Sequence, residues 1–363
     1  MMHSVARFTR HSVLITLLCA LASLALSSTV TAAEAKQKFK IAWTIYVGWM
    51  PWDYGENAGI VKKWADKYGI EIEVVQLNDY VESINQYTAG GFDGCVMTNM
   101  DALTIPAAGG VDSAALIVGD FSNGNDGIIL KDKTDLATIK GQSINLVELS
   151  VSHYLLARAL EGIGASEKDV KIVNTSDADI VSAAASRDVT AIVTWNPQLS
   201  EILKTPNTHK VFDSSKVPGE IIDLLVVNSA TLAANPAFGK ALVGAWYEIL
   251  TVMKQQDEAG KAARTAMAKA SGTDLAGFDS QLATTKMFWT PAEAVGFTQG
   301  PDLQKTMAHV AKFSFDHGLL GEGASSAGFI GIGFPGGVVA GDKANLKLRF
   351  DDTYMKMAAD QKL

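Results

Sequence analysis

The chain has 363 residues, 48% of them hydrophobic, with 31 Lys+Arg against 39 Asp+Glu and a formal net charge of −8. An acidic balance of this kind excludes a basic face for nucleic acid, whose recognition rests on clustered Lys and Arg. The length exceeds one comfortable hydrophobic core and predicts two lobes.

The first segment reads as an export leader. Arg7 and Arg10 precede an uncharged run over residues 13–26, and small residues at 30–33 supply a cleavage site, which together describe a signal peptide over residues 1–33. That run is shorter than the roughly 20 residues a spanning helix needs, and no later run takes its place. Cys19 follows Leu18, where a lipoprotein signal needs a small residue, so no lipid anchor is expected. Without Cys19 the mature chain keeps only Cys95, which has nothing to pair with in an oxidising compartment. The expected product is soluble and periplasmic.

From residue 38 the signals alternate. Residues 39–45 form a short apolar, β-branched run, then residues 46–55 carry Gly48, Pro51 and Gly55 as breakers, and helical spacing follows from Asn57 through Ile60, Val61 and Trp64. Four of the seven tryptophans fall in this stretch. Trp43, inside the strand, is read as core. Trp49 and Trp52, on a loop beside proline, are read as a ligand wall, because loops at strand ends of open α/β sheets carry ligands. Strands at 70–77, 92–97 and 114–118 alternate with helices at 79–89 and after Thr98, and residues 120–127 are a turn-rich link. A similar series restarts at Gly141, with strands at 143–149, 170–173 and 190–195 and helices from Ser152 and Asp179. Two strand-helix series predict two parallel-sheet lobes. The apolar run 221–228 is read as a crossing back to the first lobe, and helices are expected at 241–254, 258–270, 291–297 and 303–317.

With that layout the chain resembles the periplasmic substrate-binding proteins of ABC importers, in the nitrate/sulfonate/taurine group. The carriers are residues 41–53 with Pro51-Trp52, residues 90–98 (GGFDGCVMT), Lys140-Gly141-Gln142, and Trp195-Asn196-Pro197. Within the group, the Gly-Trp-Met-Pro-Trp loop is most similar to the branch encoded with urea carboxylase or guanidine-degradation genes. The resemblance implies an α/β, two-lobed type II periplasmic-binding-protein fold, each lobe a mostly parallel sheet flanked by helices. It divides the chain into lobe 1 (34–127), lobe 2 (128–222) and a return to lobe 1 with C-terminal helices (223–363). It also implies a monomer that hands a small-molecule ligand to a membrane permease powered by a separate ATPase, with no cofactor and no metal.

The residues at the strand ends argue for the ligand. They are Tyr46, Trp49 and Trp52, then Asn78, then Thr98, Asn99 and Asp101, then Asp120; the second lobe offers Glu148, Ser152, His153 and Trp195, and the crossing strand Asp223. Carboxylates and aromatic rings abound there while Lys and Arg are missing, which suits a cation such as guanidinium, or a urea-like compound. The helix from Ser152 aims its positive end at the cleft and suits an anion instead. A sulfonate or other small anion is therefore the alternative ligand. Several of these groups also have structural readings: Asp79 and Asp101 as helix caps, His153 as a surface or capping side chain, Asp223 as a salt-bridged hinge residue. His309 and His317, eight apart with no third ligand nearby, fit no zinc pattern.

Catalytic motifs are sparse. Residues 331–336 match G-x-G-x-x-G, but Pro335 and Gly337 prevent the helix that a dinucleotide loop must open, so the stretch reads as a turn. No nucleophile elbow or Walker loop is present. An enzyme acting on a C–N bond is the alternative from a different class, and a binder is the expectation.

Overall fold

The computed structural model describes residues 36–363; the leader expected over 1–33 lies outside the described residues. Strand β1 (Lys38–Trp43) shows how the sequence sets the first sheet. Phe39, Ile41, Ala42 and Trp43 are buried, while Lys38 and Lys40 point outward and pair with Glu71 and Glu73 of β2 (Glu71–Gln76) at 2.8 and 2.9 Å. Such exposed pairs contribute little energy but fit the parallel register in which Lys38 faces Glu71. On its other side β1 pairs in parallel with β3 (Gly94–Thr98), which is buried along its whole length.

Two long strands then cross between lobes. The chain leaves the first sheet along β4 (Ser113–Ser122), turns, and opens the second sheet with β5 (Asp126–Lys131). It returns along β10 (Ile222–Asn228), which runs antiparallel between β4 and β3. The remaining strands are β6 (Ser143–Leu146), β7 (Lys171–Asn174), β8 (Ala191–Trp195), β9 (Thr208–Asp213), β11 (Thr285–Met287), β12 (Gly331–Phe334), β13 (Val338–Ala340) and β14 (Leu346–Phe350). The first sheet has the order β13-β12-β14-β4-β10-β3-β1-β2 with β11 beside β4, and the second β7-β6-β8-β5-β9. This is the expected α/β, two-lobed architecture. Both sheets are mixed, because each crossing strand enters its new sheet against the direction of its neighbours.

The loop expected at residues 46–55 is a loop only at its start. A helix, Met50–Asn57, begins with Trp49 as its N-cap and Pro51 in its first turn. Proline is well suited to that position, since the N–H it lacks would be unpaired anyway. The long apolar helix Pro236–Met253 packs over this helix and its successor Ile60–Lys67. The sequence-predicted turn at residues 331–336 is a strand ending in Pro335-Gly336-Gly337, where both glycines take positive φ, 77° and 78°. Among the described residues no helix is long and apolar enough to cross a membrane.

Candidate functional site

At the lobe boundary an enclosed chamber of about 20 Å³ is lined by Tyr46, Trp49, Tyr80, Thr98, Ile221 and Asp223 from the first lobe and the crossing, and by Asp126, Val151 and Trp195 from the second. A smaller void of about 10 Å³ adjoins it, sharing Trp49 and Asp223 and adding Trp52, Asp120 and Trp246. Neither lining contains Lys or Arg. Spaces of this size hold on the order of one water each, so any ligand they take is small and tightly wrapped.

The rings form three walls. Tyr46 meets Trp49 edge-on at 4.9 Å, Trp49 stacks on Tyr80 at 5.6 Å, and Tyr80 meets the edge of Trp195 at 5.7 Å, so the aromatic chain runs from one lobe to the other. Gly48 makes the first wall possible. A Cβ at that position would stand 2.5 Å from the Tyr46 ring and 2.6 Å from Asp120 Oδ2.

The carboxylates come from the crossing strands. Asp120 and Asp223 face each other across the β4–β10 register, each with Oδ2 buried and without a hydrogen-bond partner of good geometry. Tyr46 donates to the other oxygen of Asp120 at 3.1 Å. Asp101 Oδ2 accepts from Tyr80 Oη at 2.6 Å and Thr98 Oγ1 at 2.8 Å, while its Oδ1, on the side of Val151, is buried and, like Oδ2 of Asp120 and Asp223, makes no hydrogen bond of good geometry. Burial pushes Asp120 and Asp126 up to about 7, Asp101 up to about 6, and Asp223 well above the carboxylate range. The cause is desolvation with no cation to offset it, and for Asp223 the neighbouring Asp120 raises it further. Two facing carboxylates in a dry site must share a proton or a cation.

The structure gathers some of the sequence-predicted residues and sets others apart. Tyr46, Trp49, Thr98, Trp195 and Asp223 line the chamber, and Asp120 and Trp52 border the adjoining void. Trp52, however, stacks on Trp246 at 5.2 Å, so its inner face is taken by core. Asp101 holds Tyr80 and Thr98 rather than capping; Thr98 is the cap, while Asp79 caps the helix Tyr80–Thr88 by accepting from the Glu82 N–H. Asn99 is a strut, donating to Glu220 O and accepting from the Ile222 N–H. Ser152 Oγ is buried and unpartnered, but it is not part of the chamber lining, which its neighbour Val151 reaches. Asn78 lies in a separate open groove of about 700 Å³ with Asp177 and Lys204, and Glu148 is exposed, its N–H donating to Asn174. His153 turns away, toward Glu167 and His317. Sequence reasoning missed Tyr80 and Asp126. Tyr80 opens the helix that follows β2 after a three-residue link, and Asp126 opens β5 just after the crossing, so the strand-end rule could have found both.

A family model described as NMT1/THI5 like matches residues 58–259, more than half of the chain. The chain belongs to the NMT1/THI5-like family. No curated protein matches its sequence significantly. Among solved structures, this NMT1/THI5-like protein resembles the alkanesulfonate-binding protein SsuA from Xanthomonas axonopodis pv. citri bound to MOPS, with TM-score 0.66 and 17% identity over 80% of this chain and 96% of that one. The periplasmic aliphatic sulphonate binding protein SsuA from Escherichia coli gives 0.65 and 17% over 79% and 94%. The periplasmic nitrate-binding protein NrtA from Synechocystis PCC 6803 gives 0.56 and 12% over 89% and 98%. At these identities the likeness is one of fold.

Proposed function

We propose that this protein is the extracytoplasmic solute-binding component of an ABC importer, and that its ligand is guanidinium or a closely similar small planar cation. The observation that carries the ligand class is the facing pair Asp120 and Asp223, buried and sharing a proton with no cation to offset them, beside an aromatic chamber whose lining has no Lys or Arg. Guanidinium offers paired N–H donors to carboxylates and a flat face to Trp49 and Tyr80. Its four heavy atoms exceed a one-water space, so its entry requires the two lobes to part around the chamber. The solved relatives bound to or named for sulfonate and nitrate supply the transport half of the reading, not the ligand.

The anion alternative is weakened by what occupies the helix terminus. The helix Val151–Gly162 does point its N-terminus at the chamber, but Ser150 Oγ caps it by accepting from the Ser152 N–H, and the Asp101 carboxylate lies beside Val151. A capped N–H and a neighbouring carboxylate offset part of the positive end. The open groove around Asn78 lacks aromatic walls and pairs its own Lys204 with Glu201, so it carries less recognition chemistry than the chamber. For the enzyme alternative, the one cysteine in the described chain, Cys95, is buried and its thiol is pushed up to about 12, which leaves no thiolate for attack.

A melting-shift panel tests the assignment, since a ligand that binds only the native state raises stability. Millimolar guanidinium, far below denaturing levels, should raise the melting temperature and be recovered unchanged; urea should act more weakly. Stabilisation by taurine or nitrate with none by guanidinium would overturn the cationic ligand and leave the importer role standing. Product release would overturn the binder.

The two tryptophans should separate in the same assay. Trp49→Ala should weaken guanidinium binding by about 1–2 kcal/mol, roughly five- to thirty-fold, through lost ring contact. Trp52→Phe should lower stability by about 1 kcal/mol through lost ring area against Trp246, with little change in affinity. Equal affinity losses in both variants would count against the assignment of Trp49 as the ligand-facing ring.

A further inference from the structure

Away from the chamber, three side chains converge across the lobe boundary. His153, on the first turn of the helix Val151–Gly162, and Glu167, just beyond that helix, belong to the second lobe. His317 is the C-cap of the helix Pro301–Asp316, which packs on the first lobe. One ligand atom from each lies within 4.8 Å of the others, although the residues are up to 164 positions apart in sequence (317 less 153). His153 is 4% exposed, while Glu167 and His317 keep partial access to solvent through which an ion could enter.

Hydrogen bonding fixes what His317 offers. Its Nδ1 lies 2.8 Å from the Phe313 carbonyl, to which it can only donate, so in the neutral ring Nε2 carries the lone pair. That lone pair points at Glu167 Oε2, 2.5 Å away, a separation that a shared proton spans; a metal ion bound by both atoms through bonds of about 2.0–2.2 Å would move them apart to about 3 Å. The carbonyl-to-Nδ1 contact is also the outer-shell support that metal-binding histidines characteristically have. Glu167 Oε1 lies against His153 Nε2, which is buried and makes no hydrogen bond of good geometry. Two imidazoles and a carboxylate are a donor set that suits Zn²⁺ and its neighbours, with Zn–N and Zn–O distances of about 2.0–2.2 Å.

We propose that His153, Glu167 and His317 bind one divalent transition-metal ion of the zinc class, completing its shell with water and tying the two lobes together. Coordination through His153 Nε2 moves that ring's proton to Nδ1, which now accepts from the Leu149 N–H at 3.1 Å. Leu149 must therefore turn away on binding. It is exposed and holds a left-handed φ of 63°, a conformation that a leucine gives up readily.

Untagged protein stripped with chelator and dialysed against micromolar Zn²⁺ should bind one equivalent, and Co²⁺ should give a visible absorption band at the same stoichiometry. Zn²⁺ without guanidinium should raise the melting temperature, because it joins both lobes. His317→Gln and Glu167→Gln should each cut Zn²⁺ affinity by at least about 10-fold, since losing a ligand costs no less than losing an outer-shell partner. Both variants should keep a cooperative melt. No stoichiometric Zn²⁺, as expected if a proton alone sits between His317 and Glu167, would overturn the site, as would undiminished binding by His317→Gln.

Discussion

Asp223→Asn should lose guanidinium binding by about 3 kcal/mol or more, at least roughly 100-fold, while raising the melting temperature of the unliganded protein. The two effects have opposite signs for one reason. Asp223 is 3% exposed, faces Asp120 and is held well above the carboxylate range by burial and that neighbour, so the empty folded protein must keep a proton that the unfolded chain releases, at a cost in stability until a cation takes its place. The amide removes that cost in the empty protein and removes the counter-charge in the loaded one. A purely structural carboxylate behaves differently. Asp112 pairs with Arg349 at 2.5 Å and is held below the usual carboxylate range by hydrogen bonds from that guanidinium and from Ser229, which outweigh its burial. Asp112→Asn should therefore lower stability and leave affinity alone. Calorimetric titration with guanidinium and thermal melts of both variants read the contrast directly; an unchanged affinity in Asp223→Asn would remove Asp223 from the ligand site.

The parts of this architecture that the sequence revealed are those with local causes. β2 follows from alternation, β1 and β3 from short apolar runs and the helix Tyr80–Thr88 from capping by Asp79, and the run at Ile222–Asn228 is apolar because it is buried on both faces of its sheet. The strands that were missed lack such causes. β11 is three residues long and exists through pairing with the end of β4, while β12 to β14 form on the flank of the first sheet far along the chain from their partner. The misreading at Pro51 had a different origin. Proline there starts a helix instead of breaking one, and the helix carries Trp52 inward onto Trp246, whereas Trp49, at the cap, stays at the chamber.

The site was legible as a kind of chemistry more than as a set of atoms. Strand-end carboxylates and rings without cations were visible in sequence, and the chamber has that character. Which carboxylate caps and which faces the void depends on how two distant strands lie side by side. Asp120 and Asp223 are more than a hundred residues apart in sequence and meet only because β10 returns against β4. The convergence of His153, Glu167 and His317 depends in the same way on one helix docking across the boundary.

The pH dependence follows from the same cluster, with a sign opposite to that of ordinary ion-paired carboxylates. Asp120 and Asp126 titrate near 7 and Asp101 near 6 in the folded protein because burial penalises their charged forms, against 3.8 for the ordinary side chain. A group whose folded value is raised has its stability in full below the unfolded value and loses it as pH rises through the folded one. The unliganded protein should therefore lose stability between about pH 4 and pH 7 on account of these three groups. Carboxylates held low, such as Asp112 and Asp213, act in the other direction and in another window, losing their stabilising effect only as pH falls below about 4. Guanidinium stays charged throughout, and on entering the chamber it must displace whatever proton the aspartates hold. If it releases about one proton, affinity should rise roughly tenfold per pH unit from pH 5 to pH 7, about 100-fold in all, then level off above pH 8. Titration calorimetry in buffers of differing ionisation enthalpy measures that proton count directly. Binding that tightens as the unliganded melting temperature falls would place the ligand's charge on the aspartates, while an affinity flat from pH 5 to pH 8 would mean that the ligand does not meet Asp120, Asp126 or Asp223.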